Sequence, residues 1–216
     1  AMLIKPANSS NMKDWPQVVD LGKEGDAQIK FARPALSEPL AFFGGHAYGN
    51  KTYTNGADRD AIVAPKFQET VFHVMGGVKE LNLGKLNWGD AEMKALAVVL
   101  PLCRQLTKLQ VYMNSFGDAG MIALAGASGA LASLEELLLS SNAIGDDGMS
   151  ALASACASGA LASLEKLDLQ KNQIGDAGLS ALAEAVGKGA LPALEQLELT
   201  SNQIGDDGLS ELASAC

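Results

Sequence analysis

Few residues in this sequence have obvious reactive or metal-binding chemistry. His46 lies among glycines, and His73 falls on the polar side of a helical pattern. The triplet Asp58-Arg59-Asp60 has the oxygen donors a divalent cation needs, but such spacing is common in solvated loops. Three cysteines do not make a disulfide framework, and they favour a reducing compartment, cytoplasmic or organellar. No nucleophile motif, phosphate-binding loop or dinucleotide fingerprint occurs, so no catalytic residue, cofactor or metal site is assigned. Asn8-Ser9-Ser10 and Asn50-Lys51-Thr52 are glycosylation sequons, which matter only in a secreted chain.

A second group of polar residues is periodic. Asn114-Ser-Phe-Gly-Asp-Ala-Gly120 returns as Asn142-Ala-Ile-Gly-Asp-Asp-Gly148, Asn172-Gln-Ile-Gly-Asp-Ala-Gly178 and Asn202-Gln-Ile-Gly-Asp-Asp-Gly208. The intervals are 28, 30 and 30 residues. That period marks a solenoid, in which each unit buries its apolar face against its neighbours. An asparagine amide offers donors and an acceptor to backbone groups that a buried turn leaves unpaired, so these asparagines are expected to form a ladder inside the coil. The aspartates are expected to cap their own helices, Asp146 for example accepting N–H groups of the turn it begins.

The elements that position these residues follow from the leucines. Leu134, Leu137 and Leu139 precede Asn142 with the spacing of a short strand, and Leu164, Leu167, Leu169 and Leu194, Leu197, Leu199 repeat it. Leu106, Leu109 and Val111 come before Asn114, and Val78, Leu81 and Leu83 form a weaker first copy with Leu86 at the asparagine position. After each turn the apolar residues recur at helical spacing, as in Met149, Leu152, Ala153 and Cys156 or Leu179, Leu182, Ala183 and Val186. Each unit is therefore strand, turn, helix. Strands stack about 4.8 Å apart and helices need about 10 Å, so the array must bend with its strands inside.

Cysteine placement agrees with this reading. Cys156 and Cys216 share one repeat position, with Val186 between them, and Cys103 aligns with Leu131, Leu161 and Leu191. Two units apart is roughly 20 Å, far beyond disulfide reach. All three read as small core residues.

The pattern Leu134-x-x-Leu137-x-Leu139-x-x-Asn142-x-Ile144-Gly-Asp-x-Gly148 resembles the leucine-rich repeat family, and within it the ribonuclease-inhibitor-like subclass with a full helix per unit. The resemblance covers about residues 78–216. It implies an α/β, right-handed solenoid or horseshoe, a parallel sheet on the concave face, helices on the convex face, and a non-catalytic protein-binding module. Residues 1–77 are expected to be an irregular N-terminal segment ending in a capping helix, about 65–76, in which Phe67, Val71, Val74 and Met75 share one face. Leu40–Phe43 is expected to be a buried strand or a partner anchor. Residues 78–216 hold about five units, the last truncated within its helix.

Strand side chains that alternate with the core leucines should project from the concave face. They include Lys108, Gln110 and Tyr112; Glu136 and Leu138; Lys166, Asp168 and Gln170; and Glu198, with Met113 one step beyond Tyr112. Tyr112, Met113 and Leu138 are the apolar exceptions. They are expected to be near neighbours and to anchor a protein partner, the rival reading being scattered surface apolar residues.

Charge narrows the partner. Residues 1–105 carry 12 lysines and arginines against 11 aspartates and glutamates, whereas residues 106–216 carry 4 against 14. The acidic array repels phosphate backbones, which argues against nucleic acid and for a basic protein, although most of the acids read as a solvated helical face. No apolar run approaches the roughly 20 residues that span a bilayer, and the longest, 95–103, contains Pro101. A second expected contact is the uncapped C-terminal end, edged by the strand around residues 194–200. Two rival functions stand beside the binding module. One is a constitutive structural subunit of a large assembly, in an organelle or at a plastid membrane. The other is an enzyme with its site in residues 1–64.

Overall fold

The computed structural model describes residues 75–215 throughout, together with the backbone of two short strands, β1 (Val19–Leu21) and β2 (Ala27–Lys30). Of the expected capping helix, residues 75 and 76 are helical, and the remainder lies outside the described residues. His46, Asp58–Asp60, His73, the segment 40–43, both sequons and Cys216 also lie outside them.

Five rungs follow, each a strand and a helix: β3 (Val78–Asn82) and α1 (Asp90–Val99), β4 (Lys108–Gln110) and α2 (Asp118–Gly126), β5 (Glu136–Leu138) and α3 (Asp146–Ala157), β6 (Lys166–Asp168) and α4 (Asp176–Gly187), β7 (Gln196–Glu198) and α5 (Asp206–Ala215). The strands form one sheet in chain order, parallel from β2 to β7, with β1 antiparallel to β2. The sheet thus starts upstream of the repeats. The parallel crossovers take the right-handed sense that strand twist favours. The chain is an α/β solenoid with its sheet on the concave side and its helices on the convex side.

Pairing is in register from rung to rung. Leu81, Leu109, Leu137, Leu167 and Leu197 form one row, as the period-two alternation requires. Leu109, Leu137 and Leu167 are 0% exposed, whereas Leu197 at the last rung is half-buried. Each fully buried leucine contributes about 1.5–3 kcal/mol, so the rows running through the rungs are the principal source of cohesion. Cys103 and Cys156 lie in the core, as the repeat alignment predicts.

The two repeat lengths have a structural cause. The 28-residue units carry shorter helices, α1 with 10 residues and α2 with 9, each followed closely by a 3-10 turn. The 30-residue units carry α3 and α4, with 12 residues each. Those two helices end at Gly159 and Gly189, whose φ values of +83° and +86° place them in the left-handed region. The Ala160 N–H then donates to the Ala155 carbonyl and the Ala190 N–H to the Ala185 carbonyl, closing each C-terminus.

Candidate functional site

Three ladders hold the concave face. In the first, each asparagine amide bridges two successive turns as expected, except that the buried Asn142 Oδ1 accepts no hydrogen bond among the described residues. The Asn172 amide group donates to the carbonyls of Leu139 (3.1 Å) and Leu169 (3.0 Å), and its oxygen accepts the Ile144 N–H (3.2 Å). Asn114 bonds likewise to Leu83 and Val111, and its oxygen accepts the N–H groups of Leu86 (3.1 Å) and Trp88 (3.0 Å). The first turn, which has Leu86 in place of asparagine, is therefore held by the following rung.

The second ladder corrects the reading of the aspartates. Asp146 does not cap its own helix. The N-cap of α3 is Gly145, and Asp146 is the first helical residue. Its Oδ1 accepts the N–H groups of Gly175 (2.7 Å) and Gly178 (3.0 Å), at the start of α4. Asp90 serves Gly117 and Gly120, Asp118 serves Gly145 and Gly148, and Asp176 serves Gly205 and Gly208. At the start of α1, the Gly89 N–H donates instead to Glu92 of the same helix (2.8 Å). The carboxylate approaches so closely that a Cβ at Gly148 or Gly178 would lie 2.7 Å from it. The sequence signal was the second glycine of Gly-Asp-x-Gly, which a helix that caps itself does not need.

The third ladder joins the loops after the asparagines. Ser115, Ala143, Gln173 and Gln203 donate backbone N–H groups to the carbonyls of Trp88, Phe116, Ile144 and Ile174.

On this frame the alternate strand residues form in-register rows. One runs Glu80, Lys108, Glu136, Lys166, Gln196, and the next runs Asn82, Gln110, Leu138, Asp168, Glu198. In β4, β5 and β6 the central leucine is buried while its flanking residues are half-buried. Lys108 Nζ pairs with Glu136 Oε2 at 2.7 Å, a partly exposed bridge that contributes at most about 1 kcal/mol after solvent screening. Asp168 Oδ1 accepts the Gln170 N–H at 3.0 Å.

The apolar trio lies along adjoining rungs, the Val111 N–H donating to the Leu138 carbonyl (2.9 Å) and the Met113 N–H to the Ser140 carbonyl (2.8 Å). Leu138 is in register with Gln110, two residues before Tyr112. The Tyr112 ring covers Gly84, where a Cβ would lie 2.6 Å from the ring. The Lys85 ammonium lies 6.0 Å from its centroid. Met113 is 52% exposed and has φ +53°. Lys85, Ser141, Lys171 and Ser201 take the same left-handed conformation at the equivalent step of their rungs.

Elsewhere the chemistry is quiet. Burial pushes the Cys103 thiol up to about 12 and the Cys156 thiol up to about 11, so both stay protonated at neutral pH. Among the described residues no group of three His, Cys, Asp or Glu side chains is placed to hold a metal ion, and no helix is long and apolar enough to cross a membrane.

Comparison with known proteins adds the following. A leucine-rich repeat family model matches residues 102–125, 130–153, 160–183 and 191–213. No curated protein matches. Among solved structures, Leiomodin-1 actin-binding site 2 is similar at a TM-score of 0.51 and 13% identity, over 72% of this chain and 87% of that one, a likeness of fold. The BIR3–SERK2 complex from Arabidopsis thaliana is similar at 0.39 and 21%, over 62% of this chain and 61% of the matched chain. The complex of TLR13 with ssRNA13 is similar at 0.39 and 20%, over 65% of this chain and 22% of the other.

Proposed function

From the premise that this chain is a leucine-rich repeat protein, we propose that it is a non-catalytic module that binds a protein partner through the concave face of its sheet. The observation that carries the proposal is the in-register array of strand side chains, fixed from behind by the asparagine and aspartate ladders. Such a surface is already ordered before a partner arrives, so little conformational entropy is lost on binding. Tyr112, seated over Gly84, and exposed Met113 are the anchors, with Lys108, Gln110, Glu136, Leu138, Lys166, Asp168, Gln170 and Glu198 around them.

The full helix in every rung favours the ribonuclease-inhibitor-like subclass. The division into a capping segment, 1–77, and a repeat array, 78–216, belongs to the same proposal.

Affinity capture from the native source with wild type, Tyr112→Ala and Leu138→Glu tests this reading. The expected result is one retained partner, lost or weakened about tenfold or more in both variants while their melting curves stay close to wild type. Unchanged capture by both variants would remove the concave face from the account.

A further inference from the structure

Successive rungs are joined in the same way, with one exception. At three of the four joints the asparagine oxygen of the later rung accepts a backbone N–H from the turn before it. Asn114 takes Trp88 (3.0 Å), Asn172 takes Ile144 (3.2 Å) and Asn202 takes Ile174 (3.2 Å). Between the second and third rungs, Asn142 Oδ1 is buried and accepts no hydrogen bond among the described residues, so it does not receive the Phe116 N–H at the matching position. A buried acceptor without a donor keeps its desolvation cost, which weakens this joint relative to the others. The convex side of the same joint is also the loosest. The crossover from α1 to β4 is anchored by buried Leu100 and by Pro101, and those after α3 and α4 close on the left-handed Gly159 and Gly189. The crossover from α2 to β5 has neither device. It runs through Gly126-Ala-Ser-Gly-Ala130, its 3-10 turn holds no buried residue, and a Cβ at Gly126 or Gly129 would meet nothing within 4 Å. Here too a helix of 9 residues is followed by one of 12. On the concave side, the Lys108–Glu136 ion pair spans the joint.

We infer that the solenoid carries a built-in hinge between β4 and β5. The first two rungs move as one body and the last three as another, and the connection 126–130 absorbs the change in backbone angle. Lys108 and Glu136 act as a clasp across the opening. Their pair is partly exposed, so it is screened by salt and holds the clasp only weakly. Within each body the leucine rows and the asparagine and aspartate ladders stay intact. Each half of the concave face therefore remains ordered while the curvature between the halves adjusts. Tyr112 and Met113 lie on one body and Leu138 on the other, so the hinge sets how these side chains face one another. The inference does not depend on what the face binds, because it rests on the joint alone.

Native-state hydrogen exchange on the full chain tests the hinge. The N–H groups of Val111, Glu135 and Ala143 cross the joint, to the carbonyls of Leu138, Thr107 and Phe116. Their counterparts one rung on are Leu139, Glu165 and Gln173, which donate to Asp168, Glu135 and Ile144. The crossing set should exchange about tenfold or more faster than the counterparts. Gly126→Ala/Gly129→Ala stiffens the connection where there is room for a methyl group, and it should slow the crossing set about threefold or more while the counterparts change less than about twofold. Raising the salt concentration should speed the crossing set, and Glu136→Gln should abolish that response. Urea titration supplies an independent measure. Asn142→Ala should lower the midpoint by about half as much as Asn172→Ala, because Asn142 accepts no bond that the substitution could remove. Equal or greater protection of the crossing set, a glycine variant that shifts both sets alike, a salt response that survives in Glu136→Gln, or equal midpoint losses for the two asparagine variants overturns the inference.

Discussion

Asp146 belongs to α3 by position and to α4 by function, because its carboxylate meets the free N–H groups of the next helix. Asp146→Ala should therefore cost about 1–2 kcal/mol, with the damage displaced by one rung. Hydrogen exchange should speed at Gly175 and Gly178 while Gly145 and Gly148, served by Asp118, stay protected. The opposite pattern would restore the self-capping reading. Lys171, at φ +53°, predicts a second asymmetry. Lys171→Val should cost about 1–3 kcal/mol and Lys171→Gly should be neutral or stabilising, read from urea midpoints. The buried thiols give a pH dependence of known sign. An unfolded cysteine ionises near its ordinary 9.0, whereas the folded values are about 12 for Cys103 and about 11 for Cys156. The stability tied to these thiols is complete below pH 9 and is lost as pH rises through those folded values. In a Cys216→Ser background, the urea midpoint should fall between pH 8 and pH 10.5, and Cys103→Ala/Cys156→Ala should reduce that fall.

At the scale of the element, the leucine rows predict a gradient along the array. Leu167→Ala, in a fully buried row position, should cost about 2–5 kcal/mol. Leu197→Ala, at the half-buried equivalent, should cost less than half as much in the same urea titration. Equal costs would mean that the last rung is as well covered as the central ones. Strands and helices were legible because their periods are two and near four, and because each leucine row repeats. The difference between 28- and 30-residue units was visible as a number, but its cause was not. That cause lies in helix length and in the left-handed glycines at 159 and 189. The strands β1 and β2 lack the repeat pattern, so their membership of the sheet could not be read from spacing.

At the scale of the whole molecule, the solenoid, its sheet and its buried asparagines could be read from the sequence because all three are consequences of period. The strand rows were legible as lists of residues and less so as a shape. Tyr112 and Leu138 occupy alternate positions on neighbouring strands, yet the empty space over Gly84 takes the Tyr112 ring toward β3. Alternation settles which face a side chain uses. It does not settle which neighbour the side chain leans on, because that depends on where the adjoining rung lacks a Cβ. The aspartate ladder was missed for a related reason: its partner lies 27 to 32 residues away and carries no side chain to betray the contact. The central claim is that shape and order on the strand side carry the function. A hydrogen-exchange footprint of the captured native complex tests it most directly. The account predicts slowed exchange in residues 108–113, 136–140, 166–170 and 196–200, with 119–126 and 150–158 on the helices unchanged. Protection of the helical segments with the strand segments unaffected would contradict it.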